Sequence, residues 1–173
     1  MQYDTIEELT LELALYPNKK LDILEDCARK CKHGWFTVAK DGNCALFDEN
    51  GELDDINKVK SINEGMIPKD IEKIIIPDSA MNIWDDAFYG CHRLMNVIIP
   101  DTVTSIGVWT FAWCSRLTSI MIPDSVTSIG NEVFFGCSNL KELVFKGKTI
   151  EEVQSMENYP FGIRNLSIIR CEG

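Results

Sequence analysis

Two side-chain sets in this chain have the right types for chemistry. Cys27, Cys31, His33 and Cys44 supply four soft ligands within a short stretch, and Zn²⁺ takes cysteine and histidine in that number. A metal-dependent hydrolase would need such a set. The spacing C-x3-C-x-H-x10-C is neither a finger nor a ribbon pattern, however, and Cys27 and Cys31 equally fit the i, i+4 spacing of a helix face turned to a core. The second set is the adjacent pair Cys91–His92. A thiolate nucleophile needs a base facing it, and chain neighbours need not face one another. No Gly-rich phosphate loop, Ser-centred elbow or paired-acid signature is present. No catalytic residue, metal or cofactor is therefore expected.

The elements that would have to position these groups answer to a stronger signal. From Ile71 the chain repeats itself every 23 residues. Ile74-Ile75-Ile76-Pro77-Asp78 becomes Val97-Ile98-Ile99-Pro100-Asp101 and then Ile120-Met121-Ile122-Pro123-Asp124. Ile83, Ile106 and Ile129 share a column, as do Phe88, Phe111 and Phe134, Cys91, Cys114 and Cys137, and Leu94, Leu117 and Leu140. A fixed period of this length predicts a solenoid. The β-branched end of each copy reads as a strand, the proline after it ends pairing, and Pro-Asp opens a turn. Gly107 and Gly130 are read as bends that a side chain would resist. One copy cannot bury its own apolar face, but stacked copies can. The three repeat cysteines are then a small buried ladder position, and His92 a variable turn residue matched by Ser115 and Ser138.

The pattern Ile-Gly-x-x-x-Phe-x-x-Cys-x-x-Leu-x-x-Ile-x-Ile-Pro-x-x-Val-x-x-Ile resembles the BspA-like, treponemal-type leucine-rich repeat over Ile71 to Phe145. The resemblance implies a right-handed α/β-type solenoid with a parallel sheet on one face. It also implies recognition of a protein or a surface rather than catalysis. Members range from bacterial surface adhesins to small intracellular and phage-encoded proteins.

Residues 1–52 form an N-terminal α+β cap or small domain of two helices and a β-hairpin. The helices run from Asp4 to about Tyr16 and from about Lys20 to Lys32, the second closed by Gly34. The hairpin pairs Trp35–Ala39 with Cys44–Phe47. Residues 53–70 connect, 71–145 are repeats, and 146–173 form a C-terminal capping repeat. In that last part Ile150–Met156 is a short helix, Tyr159–Gly162 a sharp turn in which Pro160 has room for a cis bond, and 163–168 the fifth strand of a short parallel sheet. The N-terminus lacks the basic and apolar regions of a signal peptide, and no stretch approaches the roughly 18 apolar residues of a membrane span. A cytoplasmic protein is expected.

Function is expected where the copies differ. Inward columns repeat because packing fixes them, whereas outward ones alternate with them and are free to vary. On the sheet face these are Ile75, Met95, Ile98, Met121, Lys141 and Val144. On the turns Trp84, Trp109 and Trp113 stand where sister copies carry glycine or an acid, with Tyr89 or Phe135 in reach of the last two. Exposed tryptophan is a frequent interface anchor. The partner expected is another protein, with a homodimer as one form of it. Direct nucleic-acid binding is disfavoured by the net charge of −10. The alternative is a phage-type acidic inhibitor or decoy that binds a host nucleic-acid-processing protein, with the cluster Asp48, Glu49, Glu52, Asp54 and Asp55 as its charged patch.

Overall fold

The computed structural model describes residues 2–173. Helix α1 (Ile6–Leu15) starts at Thr5, whose hydroxyl accepts from the Glu8 N–H at 3.3 Å, while the Glu8 carboxylate accepts from the Asp4 N–H at 3.0 Å. The Thr5 hydroxyl thus satisfies one of the donors that a helix start leaves free, and Glu8 ties down the residue before the cap. Leu9 and Leu13 are its buried face. Helix α2 spans Lys20–Cys27 and stops well short of Lys32. Its last carbonyl is taken by the Thr37 hydroxyl at 2.7 Å. The following residues become β1 (Arg29–Cys31), an edge strand antiparallel to β2 (Gly34–Val38). Gly34 is thus a strand residue, not a helix cap. A Cβ there would lie 2.0 Å from the Phe47 carbonyl oxygen. The sheet continues through β3 (Cys44–Phe47) and β4 (Leu53–Asp54), so the hairpin is the centre of a four-stranded meander.

All of β2 is buried because both its faces are covered. Trp35, Ala45 and Phe47 pack with Leu9, Leu13 and Leu24, whereas Phe36, Val38 and Leu46 join the solenoid core beside Ile62, Ile71 and Ile74. The loop after β2 also reaches the first long strand: the Ile75 N–H donates to the Gly42 carbonyl at 2.8 Å. The N-terminal unit therefore covers an edge whose open backbone groups would otherwise template further pairing.

The remaining strands are β5 (Ser61–Ile62), β6 (Lys73–Ile75), β7 (Asn82–Ile83), β8 (Asn96–Ile98), β9 (Ser105–Ile106), β10 (Ser119–Ile122), β11 (Ser128–Ile129), β12 (Glu142–Lys146) and β13 (Ile169–Glu172), with α3 (Ile150–Ser155) before the last. They stack as a parallel solenoid with two ladders. The short strands run β5-β7-β9-β11 in an unbroken row. The long strands do not form one five-stranded sheet. They divide into β6-β8 and β10-β12-β13.

In the intact pairs the register is that of the repeat: Lys73 faces Asn96 and Ser119 faces Glu142. The last strand departs from it. Leu143 pairs with Ile169 instead of Leu166, and Leu166–Ile168 is a 3-10 turn. The rebuilt loop, with its capping box at Thr149 and Glu152 and a cis Tyr159–Pro160 bond, takes more chain than a normal coil.

Phe88, Phe111 and Phe134 stack at the centre, with ring centroids 5.0 and 5.8 Å apart. Gly107 and Gly130 serve packing rather than bending. Neither has a left-handed backbone. A Cβ at Gly130 would lie 2.4 Å from the Val108 nitrogen, and one at Gly107 2.4 Å from the Asp85 nitrogen. Adjacent coils touch backbone to backbone at this column, and only glycine leaves room.

Candidate binding surface

The cysteines do not assemble a reactive site. Cys27 lies in the helical cluster, while Cys31 and Cys44 pack against the solenoid core. The Cys44 thiol donates to the Ile75 carbonyl at 3.3 Å. The zinc set Cys27, Cys31, His33 and Cys44 is therefore spread over different packing environments. Among the described residues no three His, Cys, Asp or Glu side chains converge as a metal site.

In the repeat column two of the three thiols tie one coil to the one before. Cys114 donates to the Phe88 carbonyl at 3.3 Å and Cys137 to the Phe111 carbonyl at 3.0 Å. Cys91 and Cys114 are fully buried; Cys137 is half-buried. His92 does not activate Cys91. Its Nδ1 lies 3.0 Å from the Trp113 carbonyl, which only accepts, so Nδ1 carries the proton.

Burial pushes the Cys91 thiol up from its ordinary 9.0 to about 11 and the Cys137 thiol to about 12, with Cys114 raised as well. Below pH 9 these thiols are protonated in both states. As pH rises through 9, the unfolded chain loses its protons first, and this ionisation stabilises it relative to the folded one. Thermal unfolding should therefore shift to lower temperature from pH 9 upward. Cys114→Ala should flatten that slope, and an unchanged slope in this variant would contradict the assignment.

The outward side chains divide sharply. On the sheet face Ile98 is 49% and Met121 41% exposed, and Lys141 is exposed. Ile75 and Met95 are half-buried. Val144, expected on this face, is buried. It sits in the middle strand between Met121 and Arg170 in register, and these longer side chains flank it on both sides.

The interruption between β8 and β10 was not anticipated from the sequence. There a cleft of about 310 Å³ is lined by Val97, Ile98, Ile99, Met121, Pro123 and the charged Asp101 and Lys146. A second cleft, about 470 Å³, opens where the last coil is rebuilt, between Trp113, Phe135, Leu140, Ile163 and Arg164. The lengthened spacing after Lys146 is the sequence signal that could have found it.

On the turns Trp84, Trp109 and Trp113 are 55%, 46% and 45% exposed. Trp109 stacks on Tyr89 with centroids 6.1 Å apart, and Trp113 meets Phe135 edge-on at 5.5 Å. Both have left-handed backbones, φ 53° and 62°. Gly90 and Gly136 occupy the Trp113 column at φ 70° and 74°, and Asp86 and Glu132 the Trp109 column at φ 56° and 53°. A bulky side chain in that region is an outlier that costs of order 1–3 kcal/mol. The acidic cluster is largely absorbed by local structure. The Asp48 carboxylate accepts from the Asn50 and Glu52 N–H groups, Asp55 from Asn57, and Asp54 and Glu52 pair with Lys58 and Lys20.

Residues 66–172 match the family model for a BspA type leucine rich repeat region, in six copies. The chain belongs to the BspA-type leucine-rich repeat family. Solved structures of leucine-rich repeat proteins are similar to it. The T. pallidum leucine-rich repeat protein is 21% identical, with 59% of this chain and 45% of that one covered at a TM-score of 0.44. A leucine-rich cell surface protein from Faecalibacterium prausnitzii is 21% identical over 83% of this chain and 39% of its own, at 0.48. A leucine-rich repeat protein from Bacteroides capillosus is 23% identical over 65% and 94%, at 0.47. The chain thus spans less than half of the first two. No curated protein matches it. Among the described residues no helix is long and apolar enough to cross a membrane.

Proposed function

We propose that this BspA-type repeat chain is a non-enzymatic module that binds another protein through its outward columns. The observation that carries this reading is the pair Trp109 and Trp113. Each is large, exposed and held in a strained backbone where sister coils use an acid or a glycine. The left-handed turn recurs from coil to coil, so a bulky indole there adds a cost that glycine avoids; such outliers cluster at sites of function, and tryptophan is enriched at interface hot spots. Ile98 and Met121 beside the sheet cleft supply a second apolar anchor.

Affinity capture from lysate of its host tests the proposal. Trp109→Ala and Met121→Asp should each reduce partner recovery at least about tenfold, the size of a single hot-spot loss. Full recovery by both variants would refute it. The decoy reading makes a different prediction: charge reversal at Asp48, Glu49, Asp54 and Asp55 would abolish capture, and rising salt would do the same. Two of these four acids, Asp48 and Asp55, build turns and Asp54 is paired with Lys58, which favours the module.

A further inference from the structure

We infer that Asp86, Trp109 and Glu132, together with Tyr89, form a seat for an arginine side chain of a partner protein. This deepens the proposed function and rests on it. The three column residues occupy the same point on three consecutive coils. The Asp86 N–H donates to the Val108 carbonyl at 3.0 Å and the Trp109 N–H to the Asn131 carbonyl at 3.1 Å, so each coil hands its turn to the next. All three share a left-handed φ of 53–56° and so leave the backbone in a common direction. Neighbouring parallel coils lie about 4.8 Å apart, which sets one carboxylate on either side of an exposed indole.

Tyr89 extends the aromatic surface, stacked on Trp109 at an interplanar angle of 23°. Burial raises the Asp86 carboxyl, and the nearby Glu64 and Asp85 oppose its ionisation further, so the neighbourhood is negative. The cation beside it, Lys69, is engaged with the Tyr89 carbonyl at 2.5 Å. A guanidinium fits such a place doubly: its plane stacks on an aromatic face and its N–H fork meets carboxylates. The net charge of −10 brings cationic segments toward it and repels anionic ones.

The test uses the full chain and a capped tripeptide, acetyl-Gly-Arg-Gly-amide, against its citrulline counterpart, which keeps the shape and removes the charge. The readout is the NMR signal of the Trp109 indole N–H, identified by its loss in Trp109→Phe. The arginine peptide should shift this signal saturably, and citrulline should bind about fivefold more weakly. Asp86→Asn with Glu132→Gln should weaken arginine binding severalfold while leaving the other indole signals in place. Equal shifts by both peptides, or no shift by either, would overturn the seat. If partner capture falls with Trp109→Ala but survives Asp86→Asn with Glu132→Gln, the binding surface stands and the arginine seat fails.

Discussion

Truncating Phe111 to alanine should lower the unfolding free energy by about 3–5 kcal/mol, the range for a buried aromatic that leaves a cavity. Phe111 is fully buried and is the middle ring of the central stack, 5.0 Å from Phe88 and 5.8 Å from Phe134. A solenoid's stability is close to a sum of coils and coil-to-coil interfaces, and this ring belongs to two interfaces at once. The coils cannot close the void cheaply, because the backbone contacts at Gly107 and Gly130 already set their separation. Urea titration of the variant measures the loss. A cost under about 1.5 kcal/mol would mean that the stack is not the axis of the fold.

Gly130→Ala is the second large effect, expected at about 3 kcal/mol, the upper part of the usual overpacking range. The added methyl would lie 2.4 Å from the Val108 nitrogen and 2.6 Å from the Gly107 carbonyl carbon. Both neighbours are backbone, so no side chain can swing aside. The backbone at Gly130 is not left-handed, so conformational strain adds nothing. Gly90→Ala is the informative companion. Its φ of +70° is unfavourable for alanine, but the space around it is open, with the His92 Nε2 at 3.8 Å the one neighbour within 4 Å. It should cost only about 1 kcal/mol. Equal losses in the two variants would mean that coil approach does not decide the glycine column.

These residues also show what was legible in the sequence. Isoleucine, phenylalanine, cysteine and leucine recur because every coil buries the same face, and from that recurrence the stack, the buried thiols and the prolines at the strand ends could be read. Columns carry no record of backbone-to-backbone distance, so they cannot tell a coil contact at Gly107 and Gly130 from a bend. Leu21, Leu24 and Ala28 keep a helical spacing past the true end of α2, whereas the all-buried β2 recruits Arg29–Cys31 as its edge partner. Ile163, Leu166 and Ile168 continue the apolar register, and only the size of the rebuilt loop moves the pairing of Leu143 three residues on, to Ile169. Val144 was placed outside correctly in alternation but not in burial, since the side chains flanking it belong to neighbouring strands. At the candidate surface, the three tryptophans stood out by replacing glycine or acid in sister copies. The left-handed backbone that makes two of them costly, and the cleft beside Met121, belong to three-dimensional geometry alone.

The central claim is that Trp109 serves recognition and not the fold. Urea unfolding of Trp109→Asn tests it without knowledge of any partner. Asparagine tolerates the left-handed conformation that Trp109 adopts at φ 53° and resembles Asp86 of the coil before. Relief of strain should offset the lost stacking on Tyr89, leaving stability unchanged or raised by up to about 1 kcal/mol. A loss of more than about 2 kcal/mol would show that the indole holds the coils together, and the surface would have to be sought elsewhere.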